Sequence, residues 1–193
     1  NIIKETLRLA KEKYAGKNVE VMGIGKKGGD ILSKSLILKS RHDAIYDDLS
    51  FGNTAEIALQ AMDAFAQGQY DKVILVYNRF KNAATQLVTS EQFLPIVAEQ
   101  NTAQQVSGDY IYEPSQAEIV NELLPKSLKM QLFKAVRDSF ASEHGARMTA
   151  MHKATDNATE LRDQLKLTYN KARQAAITNE ILEIVGGAEA LNG

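Results

Sequence analysis

Met151-His-Lys-Ala154-Thr-Asp-Asn-Ala158-Thr-Glu-Leu161-Arg-Asp-Gln-Leu165-Lys-Leu-Thr168-Tyr-Asn-Lys-Ala172-Arg-Gln-Ala175 is the stretch on which the reading of this chain turns. Its small and apolar residues alternate by three and four. That spacing lines one face of an α-helix and, sustained for roughly three and a half heptads, makes a coiled-coil seam. Several seam positions are Ala or Thr, which lets a partner helix approach closely. The helical pattern extends from Pro125 to Ala190, and a continuous helix over that span is about 100 Å long at about 1.5 Å per residue. Only Gly145 and the Gly186-Gly187 pair interrupt it. A helix of that length cannot bury itself against one small domain. Residues 1–114 contain no second segment of matching length and pattern, so the partner is expected from another segment or chain.

Working toward the N-terminus, the pattern changes at Pro114. The sequence predicts an α/β, Rossmann-like βαβ domain over residues 1–114 and a helical stalk segment over 115–193, half of a coiled coil. Ser115 and Glu118 form a capping-box pair, and Pro125 ends or kinks the first short helix and opens the next. Before Pro114, Ile3, Leu7, Ala10 and Tyr14 recur at helical spacing, with Gly16 as a stop. Val19–Ile24 alternates as a strand, and Gly25–Gly29 turns into a helix near Asp30–Leu38. Asn53 or Thr54 is the expected cap of a helix presenting Ile57, Ala58, Ala61, Met62 and Phe65, with Gly68 ending it. Val73–Tyr77 is an uninterrupted apolar run, as in a strand buried on both faces. Thr85–Leu94 is a further strand of the same sheet, closed by Pro95. Asn101–Gly108 is read as a mobile loop and Asp109–Glu113 as a short extended segment.

Composition narrows the chemistry. The chain has 193 residues, 44% of them hydrophobic, and a formal net charge of −1. Such a balance provides no field for a nucleic-acid backbone. There is no Cys. That removes disulfides, thiolate nucleophiles and thiolate metal sites. No run of 18 or more apolar residues is present, and no basic and apolar leader precedes the first helical pattern.

Gly23-Ile-Gly25-Lys-Lys-Gly28 matches G-x-G-x-x-G between a strand and a helix, with Asp43, Asp47 and Asp48 downstream where a ribose-binding carboxylate would stand. It admits two readings: a dinucleotide site, or a tight βα turn that binds nothing. The preceding strand is not the first of a doubly wound half, which favours the second. His42, His144 and His152 lack acidic partners at ligand spacing, and no phosphate-binding P-loop or nucleophile motif occurs. No catalytic residue, metal ligand or cofactor is assigned. Met148 and Met151 flank a turn bearing Arg147, and Met151 belongs to the apolar stripe. Arg173-Gln174 places a planar fork donor beside an amide on an otherwise small, smooth helix, suited to carboxylates on another chain.

The tail carries a specific pattern. Ile177-Thr178-Asn-Glu180-Ile-Leu-Glu183-Ile-Val-Gly186-Gly187-Ala188-Glu-Ala190 resembles the C-terminal signature of the ATP synthase γ-subunit family, [IV]-T-x-E-x-x-[DE]-x-x-x-G-A-x-[small], at every constrained position. Glu143-His-Gly-Ala-Arg147-Met-Thr-Ala-Met151, Ala154-Thr-Asp-Asn-Ala158 and Tyr169-Asn-Lys-Ala-Arg173-Gln174-Ala-Ala-Ile177-Thr178 are similar to the family in order and spacing. So are Gly23-x-Gly25-x-Lys27-Gly28, Tyr77-Asn-Arg-Phe80, Leu94-Pro95 and Asp109-Tyr110-x-Tyr112-Glu113-Pro114. The resemblance covers essentially the whole chain. It departs at the start, because family members begin with a long helix and a first strand ending in a Gly-Leu-Cys-Gly-type motif that these residues lack. That helix is the partner the seam calls for. No cysteine-bearing insertion of the chloroplast type is present, which points to a bacterial source.

The resemblance implies a rotor subunit with no catalytic site. In the family, the two terminal helices form an antiparallel coiled coil inside a hexamer of α and β subunits. ATP is made or split on the β subunits, and the α/β domain meets the ε subunit and the ring of c subunits. Proton flow turns the ring and shaft at the cytoplasmic face of the bacterial inner membrane. By correspondence, Arg173, Gln174, Thr178 and Glu180 are expected to contact the β subunit, Arg147 to couple lower down, and Tyr110 and Glu113 to meet the c ring or ε. Ile181, Leu182, Ile184, Val185 and Leu191 form the shaft tip. The alternative is a dinucleotide-binding enzyme using the Gly23–Gly28 turn, with the long helix as a dimerisation arm.

Overall fold

The computed structural model describes residues 1–96, 113 and 115–192. Helix α1 (Ile2–Arg8) runs into one π-helical turn, Leu9–Lys13, where the Tyr14 N–H donates to the Leu9 carbonyl at 2.9 Å. Gly16 follows at φ 78°, a left-handed conformation that glycine adopts without steric cost, and turns the chain toward the first strand. Strand β1 (Glu20–Ile24), helix α2 (Lys26–Leu32) and strand β2 (Ile37–His42) form a βαβ unit in which the strands pair in parallel. A 3-10 turn, Asp43–Tyr46, leads to helix α3 (Phe51–Ala66). Strands β3 (Val73–Asn82) and β4 (Thr85–Leu94) make an antiparallel hairpin. Helix α4 then spans Gln116–Asn192. Among the described residues no strand follows Ser115, as the loss of strand patterning predicted.

Several expectations are corrected. The helix expected over Asp30–Leu38 ends at Leu32, and Ile37–His42 is a strand. Its outward residues are Ile37, Lys39 and Arg41, so alternation is weak and the segment reads as the end of a helix. Ser50, rather than Asn53 or Thr54, caps α3: its hydroxyl accepts the Asn53 N–H at 3.2 Å. Asn53 instead donates its amide to Asp48. The strands form two separate two-stranded sheets among the described residues, β1–β2 and β3–β4, rather than one. Val73–Val76 is only half-buried, and Tyr77 alone of that run is buried.

Pro125, Gly145 and Gly186-Gly187 do not interrupt α4. Pro125 deletes one intrahelical donor, and the carbonyl this frees, on exposed Asn121, is left to solvent. The cap at the start of α4 is as predicted, with the Ser115 hydroxyl accepting the Glu118 N–H at 3.2 Å. The segments expected as a mobile loop and as an extended strand, Asn101–Gly108 and Asp109–Tyr112, lie outside the described residues.

The chain forms two compact units, Asn1–Ala146 and Arg147–Gly193. In the first, the start of α4 supplies Leu128, Leu132 and Val136 to a core shared with Ile45, Ile57, Ala58, Phe93 and Leu94. Met22, Ile24, Met62, Phe65, Val73 and Leu75 pack around it. Leu128, Leu132 and Ala135 repeat at helical spacing, so one stripe of α4 closes the core that α3 and both sheets leave open. In the second unit, every residue from Arg147 to Leu191 is exposed except half-buried Asn170.

Candidate functional site

The glycine-rich turn is filled by the protein itself. Gly25 sits at φ 102°, and a β-carbon there would lie 3.0 Å from Cε2 of Tyr46. The Tyr46 ring covers the turn and stacks on Phe140 of α4 at 5.5 Å. Its burial, and secondarily the Glu143 carboxylate, raise the pKa of its phenol above the ordinary value. The neighbouring cation is also engaged: Arg41 bridges Asp30 at 2.8 Å and Asp43 at 2.7 Å. Asp48 accepts from Asn53. Two of the three acidic residues that a dinucleotide reading needs, Asp43 and Asp48, are thus committed to holding β2 and α3 in place. Tyr46 gave no signal in the sequence, because one aromatic residue in a polar 3-10 turn has no periodicity to mark it.

The histidines do not converge. His42 is half-buried on β2, 3.4 Å from the Ser40 hydroxyl, and burial lowers its pKa from the ordinary value against the opposing pull of Asp43. His144 lies edge-on to Phe140 at 4.4 Å. His152 is exposed. No group of three or more His, Asp or Glu able to hold a metal occurs among the described residues.

The second unit carries the residues singled out for partner contact, and the helix sorts them. At about 100° per residue, Arg173 and Glu180, seven apart, fall on one face. Gln174 shares a different face with Thr178, about a third of a turn away. The fork donor and the amide, adjacent in sequence, therefore do not form one patch. Thr178 donates its hydroxyl to the Gln174 carbonyl at 2.9 Å, which leaves the hydroxyl oxygen as an acceptor and the methyl group for packing. Neither Arg173 nor Glu180 has an ion-pair partner among the described residues. Arg147 is exposed at the start of this unit, and Glu113 is exposed too. Tyr110 lies outside the described residues.

The seam residues Met151, Leu161 and Leu165 are 63%, 56% and 59% exposed. Beyond them Ile181, Leu182, Ile184, Val185 and Leu191 spread over about half of the helix circumference, with Glu183 opposite, and all five are exposed. An apolar face of that width, left in water, is one that a partner covers. The βα turn is thus covered by Tyr46 at Gly25, and the helix beyond Arg147 leaves its apolar residues in water.

Comparison with known proteins agrees. The family model described as ATP synthase matches residues 1–191. The chain is 65% identical over 193 residues to the ATP synthase gamma chain of Flavobacterium johnsoniae, covering 100% of this chain and 67% of that one. It is 42% identical over 194 residues to the ATP synthase gamma chain of Geobacter metallireducens, covering 68% of it. It superposes on a chain of the Tetrahymena thermophila mitochondrial ATP synthase central stalk and c-ring structure with a TM-score of 0.59 and 27% identity, over 79% of this chain and 67% of that chain. The chain belongs to the ATP synthase γ-chain family. It is the γ subunit type of an F-type ATP synthase, a central-stalk rotor component without a catalytic site of its own. The dinucleotide-enzyme reading of the glycine turn is not supported.

Proposed function

We propose that this rotor chain acts through three surfaces. The stalk segment 115–193 pairs its Met151–Ala175 seam with a second helix in an antiparallel coiled coil inside the hexamer of α and β subunits. Arg173 and Glu180 on one face, and Gln174 and Thr178 on another, meet β-subunit groups in turn as the shaft rotates, with Arg147 coupling lower down. The α/β domain 1–114 engages the ε subunit and the c ring through Tyr110 and Glu113. Proton flow through the ring turns the shaft, which drives each β site through its binding states. The complex works at the cytoplasmic face of a bacterial inner membrane with this chain peripheral to it. No helix among the described residues is long and apolar enough to cross a membrane.

The observation that carries this reading is the exposure of apolar residues along Met151–Leu191, first on one seam and then over about half of the helix circumference. The chemistry fits as well. An arginine fork makes charge-assisted contacts that form and break with the partner's conformation, and so bias which conformation is populated. The test is reconstitution of the full-length chain with an α–β hexamer and disulfide trapping from cysteines placed at Ile181 and Leu191. Cross-links to the hexamer interior that stop ATP turnover until reduced are expected. Cross-links that form only between copies of this chain would refute the assignment.

A further inference from the structure

Ser142 behaves unlike three threonines further along the same helix. Thr155, Thr168 and Thr178 each donate back to the carbonyl four residues earlier, inside the helix. Ser142 is 1% exposed, and its hydroxyl donates out of the helix to the Asn78 carbonyl of β3 at 3.1 Å. It has company along the same side. Gln131 donates its amide to Glu91 of β4 at 3.0 Å, and the Tyr77 hydroxyl donates to the other oxygen of that carboxylate at 3.4 Å. Gly145 lies directly under the hairpin end: a β-carbon there would stand 3.2 Å from the Ala83 Cα and 3.2 Å from Cε2 of Phe80.

The hairpin end is itself braced. The Asn82 side chain accepts the N–H groups of Ala84 at 3.1 Å and Thr85 at 2.7 Å, and Gln86 donates to the Ala83 carbonyl at 2.9 Å. Gln131, Ser142 and Gly145 lie in a stripe about 60° wide and are spread over about 21 Å of the axis. The buried core residues continue round the helix from the edge of that stripe, Ala135 and Leu128 about 20° and about 40° from Ser142, and Leu132 and Val136 about a third of a turn from the stripe's middle. The first unit thus grips α4 over one broad face, apolar along one side and keyed along the other by directional hydrogen bonds and a steric socket. Apolar packing alone is non-directional and yields to sliding and rolling. Hydrogen bonds weaken steeply once misaligned and therefore resist rotation.

We propose that the β3–β4 hairpin is a torsional clamp: Glu91, Asn78 and Ala83, acting on Gln131, Ser142 and Gly145, key α4 to the α/β unit, so that rotation of that unit is delivered to the helix without slip. The proposal rests on the rotor reading. The clamp residues are positioning residues: they act through α4 and not on a reacting group.

The experiment uses the full-length chain in the complete ATP synthase. A probe on the exposed Lys39 reports the angular fluctuation of the α/β unit against the immobilised hexamer, alongside ATP hydrolysis and ATP-driven proton pumping. Gln131→Leu combined with Ser142→Ala is expected to raise the angular variance about twofold or more and to lower protons pumped per ATP, with hydrolysis held within about twofold. Gly145→Val, which displaces the hairpin end, is expected to do the same. Exchanging the partners, Glu91→Gln with Gln131→Glu, restores a donor–acceptor pair and is expected to return the variance to its original value. Unchanged variance in the double variant, or an exchange that fails to restore it, overturns the clamp. A wild-type chain that assembles but does not turn overturns the rotor reading and the clamp with it.

Discussion

Arg173 and Glu180 stand on one face of the exposed helix, seven residues apart, whereas Gln174, beside Arg173 in sequence, faces about a third of a turn away with Thr178. Residues that act on the same partner group at the same rotor angle must share a face. In a reconstituted complex, Arg173→Ala with Gln174→Ala is expected to lower ATP turnover tenfold or more, since each well-formed charge-assisted contact is worth about 1.5–3 kcal/mol and contacts spread over the shaft soften the loss. Arg173→Lys keeps the charge but not the fork and falls between. Lys166→Ala and Lys171→Ala stay within about twofold. Equal, small effects at all four positions would show a solvated face.

The core contribution of α4 is confined to its first turns. Leu132 is 4% exposed and Leu161 is 56% exposed. In the isolated chain, Leu132→Ala should cost about 2–5 kcal/mol by urea unfolding, because it leaves a cavity between α3 and β4. At concentrations low enough to keep the chain monomeric, Leu161→Ala should stay within about 0.5 kcal/mol. Comparable losses at both under that condition would mean that the chain covers the seam by folding back on itself.

The glycine turn separates two readings by substitution. Gly25→Ala imposes a left-handed conformation on a β-carbon that also meets Tyr46, and should cost about 1–3 kcal/mol. Gly28 has open space around it within a helix, and Gly28→Ala should stabilise by about 0.5–1 kcal/mol. Thermal unfolding measures both. Neither the native chain nor Tyr46→Ala should gain thermal stability from a dinucleotide, and a ligand-dependent rise would restore the enzyme reading.

His42 sets a modest pH dependence. Burial lowers its folded pKa below the ordinary value of 6.5. The unfolded chain therefore takes up a proton first as pH falls below about 6.5, and the folded state loses stability from there down through the folded pKa. Above that window the group has no effect. His42→Gln should flatten this part of the stability–pH curve. A curve of unchanged slope would assign the dependence to other groups.

A bare seam is costly in water. The 193-residue chain on its own is expected to self-associate through Met151–Ala175 or to fray there, because an apolar stripe of that extent favours a partner. Sedimentation equilibrium checks it, with Met151→Gln and Leu161→Gln together restoring a monomer. A native monomer with full helicity over residues 147–192 would contradict the expectation.

The elements legible in the sequence were those with long or strict patterns. The Thr85–Leu94 strand, the Ser115 cap and the helix beyond it stand where periodicity put them. The miss at β2 has a physical cause: six residues at an exposed edge, carrying Lys39 and Arg41, lack the apolar alternation that marks a strand. Pro125 and Gly145 misled because a breaker's cost is local. Pro125 removes one hydrogen bond from a helix of 77 residues, and Gly145 is there for the close approach of Ala83. The contact residues of the stalk were visible as types but not as faces, since adjacency along a helix is not adjacency in space.

The end of the helix has a consequence of its own. Ile181, Leu182, Ile184, Val185 and Leu191 occupy about half of the circumference, and Glu183 and the Gly186-Gly187 pair lie on the other half. Turned inside an apolar sleeve, such a tip would present an oily side and a smooth, charged side in alternation, so its energy would vary with angle. It would then share the angular memory with the charged residues further down. Apolar exchanges within the oily half would be tolerated, and a charge moved onto it would not.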